Sequence, residues 1–172
     1  MTDYLRALVR DVTDFPKPGI LFRDITPLLR DAGGLQATID ALSAPWSEEG
    51  ADYVAGIEAR GFILGPAVAL RLRSGFLPVR KAGKLPADIV REEYELEYGT
   101  ATIELHRDAV GEGDQVLIVD DVLATGGTAR AAVRLVEALG ATVTGLAFLI
   151  ELPALGGRQG LESYRIESVI EY

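Results

Sequence analysis

Residues 116–130 read V-L-I-V-D-D-V-L-A-T-G-G-T-A-R, and the reading of this stretch decides the fold. Its first four residues, 116–119, are apolar, rich in β-branching and too few for a helix, which predicts a buried parallel strand. Asp120 and Asp121 follow at the strand's carboxyl end. Ala124, Thr125, Gly126, Gly127 and Thr128 then make a small-residue turn, and Ala129 to Leu139 is expected to continue as a helix. Glycines let backbone N–H groups approach an anion closely, and a helix start adds about 0.3–1 kcal/mol per anionic group, about 2 kcal/mol when partly buried. Adjacent carboxylates repel each other, so a cation or a set of hydroxyls is expected beside them. Strand, acid pair, glycine turn and helix is the order a sugar-phosphate pocket needs: the acids accept from sugar hydroxyls while the turn holds the phosphate. Taken alone, D-D-x-x-x-x-G-G also suits a solvated strand-to-helix connection.

A second unit of the same kind lies upstream. Tyr53, Val54, Ala55, Gly56 and Ile57 read as a short strand, Glu58-Ala59-Arg60-Gly61-Phe62 as a turn, and the following residues as an apolar helix through Leu72. Backbone N–H groups beside the Arg60 guanidinium would cradle an anion; an arginine at a helix start is equally compatible with a solvated role. Residues 75–79 form the next strand. At its end Arg80, Lys81 and Lys84 stand within five residues, spaced by Gly83 and closed by Pro86. Their place after a strand carboxyl end favours phosphate binding over a merely solvated loop.

Residues 92–96 and 100–105 read as a hairpin through Glu97, Tyr98 and Gly99, with alternation in Ala101, Ile103 and Leu105. The polar, glycine-bearing segment 81–100 is expected to act as a mobile lid that excludes water. Toward the amino terminus, Leu5, Leu8, Val9 and Val12 keep helical spacing over residues 2–12, with Thr2 or Asp3 as the cap. Phe15-Pro16-Lys17-Pro18-Gly19 predicts an extended run turned by the glycine, and Thr26 should cap a short helix that has Pro27 at its first position. A proline-braced arm carrying Leu21, Phe22 and Arg23 could hold a flat ring or simply close the domain. Leu35, Ile39 and Leu42 mark another helix, Pro45 to Asp52 a loop, Gly111 to Asp114 a turn, Gly140 a left-handed helix stop, and residues 143–150 a buried strand. Residues 151–163 read as irregular and 165–170 as a final strand.

The chain of 172 residues suits a single domain, with a hood over residues 1–34 and a lid over 81–100. Without cysteine it has no thiolate metal site and no thiol nucleophile, and one histidine, His106, excludes a multi-histidine centre. The net charge of −9 argues against nucleic acid, so anion binding must rest on local basic residues. No targeting signal or membrane-length apolar run is read, which makes cytoplasm the expected compartment. Walker A and G-x-G-x-x-G motifs are absent: Gly83-Lys84 lacks the following Ser/Thr, and no third glycine follows Gly111 and Gly113. Strands alternating with helices predict an α/β fold, a doubly wound, mainly parallel sheet with flanking helices and sites at strand carboxyl ends.

Five separated stretches together resemble the adenine phosphoribosyltransferase family of type I phosphoribosyltransferases: F-P-K-P-G-I-L-F-R-D-I-T-P-L-L at 15–29, G-I-E-A-R-G-F at 56–62, R-K-A-G-K-L-P at 80–86, L-E-Y-G at 96–99 and V-D-D-V-L-A-T-G-G-T at 119–128. The resemblance implies that type I fold, with a small hood and a flexible hairpin lid. It implies magnesium-dependent conversion of adenine and 5-phosphoribosyl-1-diphosphate to AMP and diphosphate, in purine salvage, by a homodimer. By resemblance Asp120 and Asp121 hold the ribose hydroxyls, and Ala124, Thr125, Gly126, Gly127 and Thr128 bind the 5-phosphate. Arg60, Gly61, Arg80, Lys81 and Lys84 face the diphosphate, some of them in a neighbouring subunit's site. Leu21, Phe22 and Arg23 hold the base, with Phe22 stacked on it. Glu97 transfers the proton, Arg60, Arg80 and Lys84 complete the catalytic set, and Tyr98 lines the lid. Magnesium is carried by substrate oxygens, with no direct side-chain ligand. The alternatives are a transferase for hypoxanthine, guanine or xanthine, and a non-catalytic sensor of phosphoribosyl diphosphate. His106 has no assigned role.

Overall fold

The computed structural model describes residues 1–95 and 99–172. A short helix, α1 (Thr2–Ala7), leads into a two-stranded antiparallel sheet of β1 (Arg10–Thr13) and β2 (Leu21–Asp24). Helices α2 (Thr26–Arg30) and α3 (Ala32–Ser43) come next. The alternating part then runs β3 (Tyr53–Ile57), α4 (Gly61–Leu72), β4 (Gly75–Lys81), β5 (Ile89–Glu95), β6 (Thr100–His106), β7 (Gln115–Leu123), α5 (Gly127–Ala138), β8 (Thr142–Glu151) and β9 (Ile166–Glu171).

These seven strands form one sheet in the order β5-β6-β4-β3-β7-β8-β9. From β4 to β9 every neighbour is parallel, and the β5–β6 hairpin adds an antiparallel edge. The expected doubly wound, mainly parallel α/β sheet is therefore the one observed. Strand alternation divides the core in two: Val116 and Ile118 of β7 face one cluster with α5, whereas Leu117 and Val119 face the other with α3 and α4. Chain order then fixes where the ligand crevice falls. From β3 the chain crosses over α4 to β4 on one side; from β7 it crosses over α5 to β8 on the other. Between β3 and β7 the two crossovers diverge, and an open α/β sheet binds its ligands outside the carboxyl ends of such a pair.

Several local expectations are corrected. The helix predicted over residues 2–12 stops at Ala7, and residues 10–13 are strand. Charge across the ladder overrides helical spacing: Arg10 lies opposite Asp24 and Asp11 opposite Arg23, each an ion pair. Neither Thr2 nor Asp3 caps α1, whose cap position is Met1. Residues 15–19 are not an extended run but a tight turn with a cis Phe15–Pro16 bond and Gly19 at φ 85°. Thr26 does not cap α2; it is the helix's first residue, and its N–H donates to Asp24 Oδ1 at 2.9 Å. The acid pair lies inside β7, which extends to Leu123, because Val122 and Leu123 keep their ladder partners Ile150 and Glu151. In the hairpin, β5 begins earlier than expected, at Ile89. Gly140 does close α5, in the left-handed region at φ 89°, its N–H donating to the Glu137 carbonyl.

Candidate active site

The carboxyl ends of β3, β4 and β7 bring three sequence motifs together. The first is the turn after β7. Gly126, at φ 78°, occupies the cap position of α5, and no side chain caps that helix. Its first-turn N–H groups are consequently left for a guest. They open on a recess of about 80 Å³ walled by Asp120, Phe148 and residues 124–128. A recess of that size, lined by backbone and small residues, suits a small polyatomic anion. The helix dipole also favours negative charge there.

The second motif is the turn after β3. Gly56 and Gly61 allow it to fold tightly: a Cβ on Gly56 would stand 2.4 Å from the Gly61 carbonyl oxygen, and one on Gly61 would stand 2.8 Å from that of Val119. This packing draws the α4 start against β7 and delivers Arg60 to the acids. Arg60 Nε donates to Asp121 Oδ2 at 2.6 Å, with Asp121 only 7% exposed. Burial would lower the Arg60 pKa, but Asp121 and Asp120 outweigh it and hold the guanidinium above its ordinary value. Asp120 is the strained partner. Burial, and then the charge of Asp121, push its carboxyl well above the usual carboxylate range, although its Oδ1 accepts the Asp121 N–H at 2.9 Å. The expected repulsion between adjacent acids is thus answered by Arg60 on one side only. Among the described residues no group of three or more His, Cys, Asp or Glu could hold a metal by itself.

The third motif is the basic segment. Glu58 Oε2 accepts from Arg80 Nε at 3.3 Å and from the Lys81 N–H at 3.1 Å, which ties the end of β4 to the Arg60 turn. Burial would raise the Glu58 pKa, but these two donors lower it. Arg80 Nη1 also donates to the Lys84 carbonyl at 3.1 Å, while Lys81 and Lys84 are exposed. The loop is anchored from behind: the buried Glu104 accepts the Gly83 N–H at 2.9 Å, and His106 Nε2 donates to the Pro86 carbonyl at 2.8 Å. The sequence does not mark Glu58, Glu104 or His106 as site residues, although Glu58 stands in the quoted G-I-E-A-R-G-F.

From the hood, Phe22 reaches the crevice, its ring centroid 6.0 Å from the Arg60 guanidinium and 5.1 Å from Phe15 in an edge arrangement. Leu21 is exposed. Successive strand residues point to opposite faces, and the Arg23 side chain accordingly turns away from Phe22, pairing with Asp11 and stacking 3.7 Å from the Tyr172 ring centroid. Glu97 and Tyr98 lie outside the described residues. The strand leading to them, β5, passes over the start of α5: a Cβ on Gly127 would stand 3.1 Å from the Glu95 carbonyl oxygen.

An uncapped helix start with its recess, an acid pair and an arginine converge at one switch point, and the chain's relatives give the class as phosphoribosyltransferase. Residues 27–168 match the family model described as a phosphoribosyl transferase domain. The adenine phosphoribosyltransferase of Solibacter usitatus is 56% identical over 168 residues, 98% of this chain and 97% of its own. That of Methylococcus capsulatus is 56% identical over 170 residues, 99% of each. The crystal structure of adenine phosphoribosyltransferase from Rhodothermus marinus superposes with a TM-score of 0.95 at 52% identity, covering 99% of this chain and 98% of that one. The Saccharomyces cerevisiae enzyme, crystallised with adenine and an imino-altritol bisphosphate, gives a TM-score of 0.93 at 41% identity over 98% and 97%. The chain belongs to the phosphoribosyltransferase family, among the adenine phosphoribosyltransferases. Among the described residues no helix is long and apolar enough to cross a membrane.

Proposed function

We propose that this protein transfers the phosphoribosyl group of 5-phosphoribosyl-1-diphosphate to adenine, giving AMP and diphosphate in purine salvage. One observation carries the reading: the uncapped glycine turn and the acid pair of β7 meet Arg60, from the turn after β3, at a single switch point. Residues 124–128 take the 5-phosphate with backbone N–H groups and the Thr125 and Thr128 hydroxyls. Asp120 and Asp121 accept from the ribose hydroxyls, and their charge favours the cationic sugar that forms as the bond from C1 to the diphosphate oxygen breaks. Arg60, the Gly61 N–H, Arg80, Lys81 and Lys84 receive the diphosphate as its negative charge grows. Phe22 and Leu21 hold the adenine ring, while the Arg23 side chain is engaged by Asp11 and Tyr172 instead.

Glu97 takes the imidazole-ring proton of adenine as its nitrogen bonds to C1, a role worth about 10²–10⁴ in rate for a well-placed base. Tyr98 lines the closed lid. Asp121 is taken up by Arg60, so magnesium would be held by sugar and diphosphate oxygens of the substrate, with the acid pair close by and no direct side-chain ligand. Held in that way, magnesium would supply positive charge that offsets the negative charge growing on the diphosphate. The reading includes a cytoplasmic homodimer.

A panel of adenine, hypoxanthine, guanine and xanthine, each supplied with phosphoribosyl diphosphate and magnesium, tests it. AMP formation from adenine alone is expected, because a site that hydrogen-bonds one purine edge rejects the other strongly. Turnover of another base in preference to adenine overturns the base assignment, and binding of the sugar diphosphate with no turnover of any base makes the protein a sensor.

A further inference from the structure

The segment between β8 and β9, most of it within the stretch 151–163 read as irregular from sequence, forms the back wall of the phosphate turn. Two glycines meet there. A Cβ on Gly126 would stand 2.1 Å from the Gly157 carbonyl oxygen, and one on Gly157 would stand 2.4 Å from the Ala124 carbonyl oxygen. Backbone therefore packs on backbone, flanked by the Arg130 guanidinium and the Leu123 side chain. Polar contacts hold the wall in place. Arg158 presents a fork to Glu151, Nε to Oε1 and Nη2 to Oε2, both at 2.7 Å, and its Nη1 lies 3.4 Å from the Ile166 carbonyl. Ser168 Oγ donates to Glu151 Oε2 at 2.6 Å.

Glu151 is the last residue of β8, only 4% exposed, and lies opposite Leu123 at the end of β7. From the other side Arg130, in the first turn of α5, donates from Nη1 to the Gln159 carbonyl at 2.7 Å. A bidentate arginine–carboxylate pair fixes orientation as well as distance. This one spans from the sheet to the residue next to Gly157.

We infer that Arg158 and Glu151 are positioning residues for the sugar-phosphate end of the substrate, holding Gly157 against residues 124–126 and so fixing the N–H groups that receive the 5-phosphate. Neither touches substrate. The inference rests on the proposed reaction and names the support of its phosphate site. Shifting an anion site by a fraction of an ångström weakens the ligand group it holds and leaves distant groups alone. An ion pair that served stability only would affect every ligand equally.

Arg158→Met and Glu151→Gln separate the two. Glu151→Gln keeps the shape and an acceptor, so it supplies a folded variant even where Arg158→Met melts. Calorimetry with ribose 5-phosphate and with inorganic diphosphate, beside KM for each substrate, gives the readout. Affinity for ribose 5-phosphate and KM for phosphoribosyl diphosphate should worsen about tenfold or more in Arg158→Met and less in Glu151→Gln, with adenine KM and diphosphate affinity within about twofold. Unchanged ribose 5-phosphate affinity, or an equal loss for all ligands, overturns the inference. Wild-type protein that binds no ribose 5-phosphate defeats the functional reading itself.

Discussion

Helices α3 and α5 are each twelve residues long, and they begin in opposite ways. At α3 the Asp31 carboxylate closes the end: its Oδ1 accepts the Gly34 N–H at 2.7 Å and the Tyr4 hydroxyl at 2.7 Å. At α5 the cap position is a left-handed glycine without a side chain, and the first turn faces a recess. Every helix start carries donors that must be satisfied somewhere. Here α3 satisfies them from within the protein and gains stability, whereas α5 has no side-chain cap and leaves them open to the recess. The two carboxylates nearest these ends differ accordingly. Asp31 lies below its ordinary pKa, first because of the Tyr4 hydroxyl and then the Gly34 N–H, while burial and Asp121 raise Asp120.

The comparison breaks most visibly at Gly126. Gly126→Val places a β-branched residue at φ 78° and a Cβ against Gly157, so kcat/KM for phosphoribosyl diphosphate should fall about 10²-fold or more. Steady-state kinetics near wild type would mean that the open helix start holds no phosphate. Asp120→Asn should lower the same ratio about 10- to 100-fold by removing a charged acceptor. Its effect on stability has the opposite direction. A carboxyl whose folded pKa is raised binds its proton more tightly in the native state, so its contribution is present below about 3.8 and is lost as pH rises toward the native value. Thermal melts of the ligand-free protein should show Asp120→Asn gaining on wild type as pH rises from acid to neutral; parallel curves would remove the strain assigned to Asp120.

Asp31→Ala gives the smallest effect, a melting temperature lower by about 2–4 °C with kcat and both KM values unchanged. Because the Asp31 pKa is lowered on folding, its stabilisation is present above about 3.8 and disappears as pH falls through the native value. The deficit of Asp31→Ala should therefore shrink on acidification, opposite to the trend for Asp120→Asn.

Much of this contrast is legible in the sequence because it lies in short stretches. Four apolar residues, two acids and A-T-G-G-T sit next to one another, and their local pattern is also their three-dimensional arrangement. The hood is different. Leu5, Leu8, Val9 and Val12 keep a helical period, yet the fold of residues 10–13 is set by Asp24 and Arg23 across a ladder that the period cannot show. Arg23 adjoins Phe22 in the chain and points away from it, since neighbours on a strand face opposite sides and Tyr172 offers it a ring. The supports of the basic loop are equally hidden: Glu58 follows the end of β3, whereas Glu104 and His106 lie on β6, far from it in the chain. Residues 151–163 carry no periodicity, and an arginine fork onto a strand end, which the local pattern does not show, ties them to the sheet.

The face-to-face meeting of Gly126 and Gly157 also bears on how such a pocket can be remodelled. Neither position accepts a larger residue while the other stays put, so the two segments form one epistatic unit. A directed-evolution library that randomises only the turn after β7 would be filled with inactive members. Widening the recess for a bulkier sugar ester requires diversity in both segments at once, with the rear one given freedom to retreat.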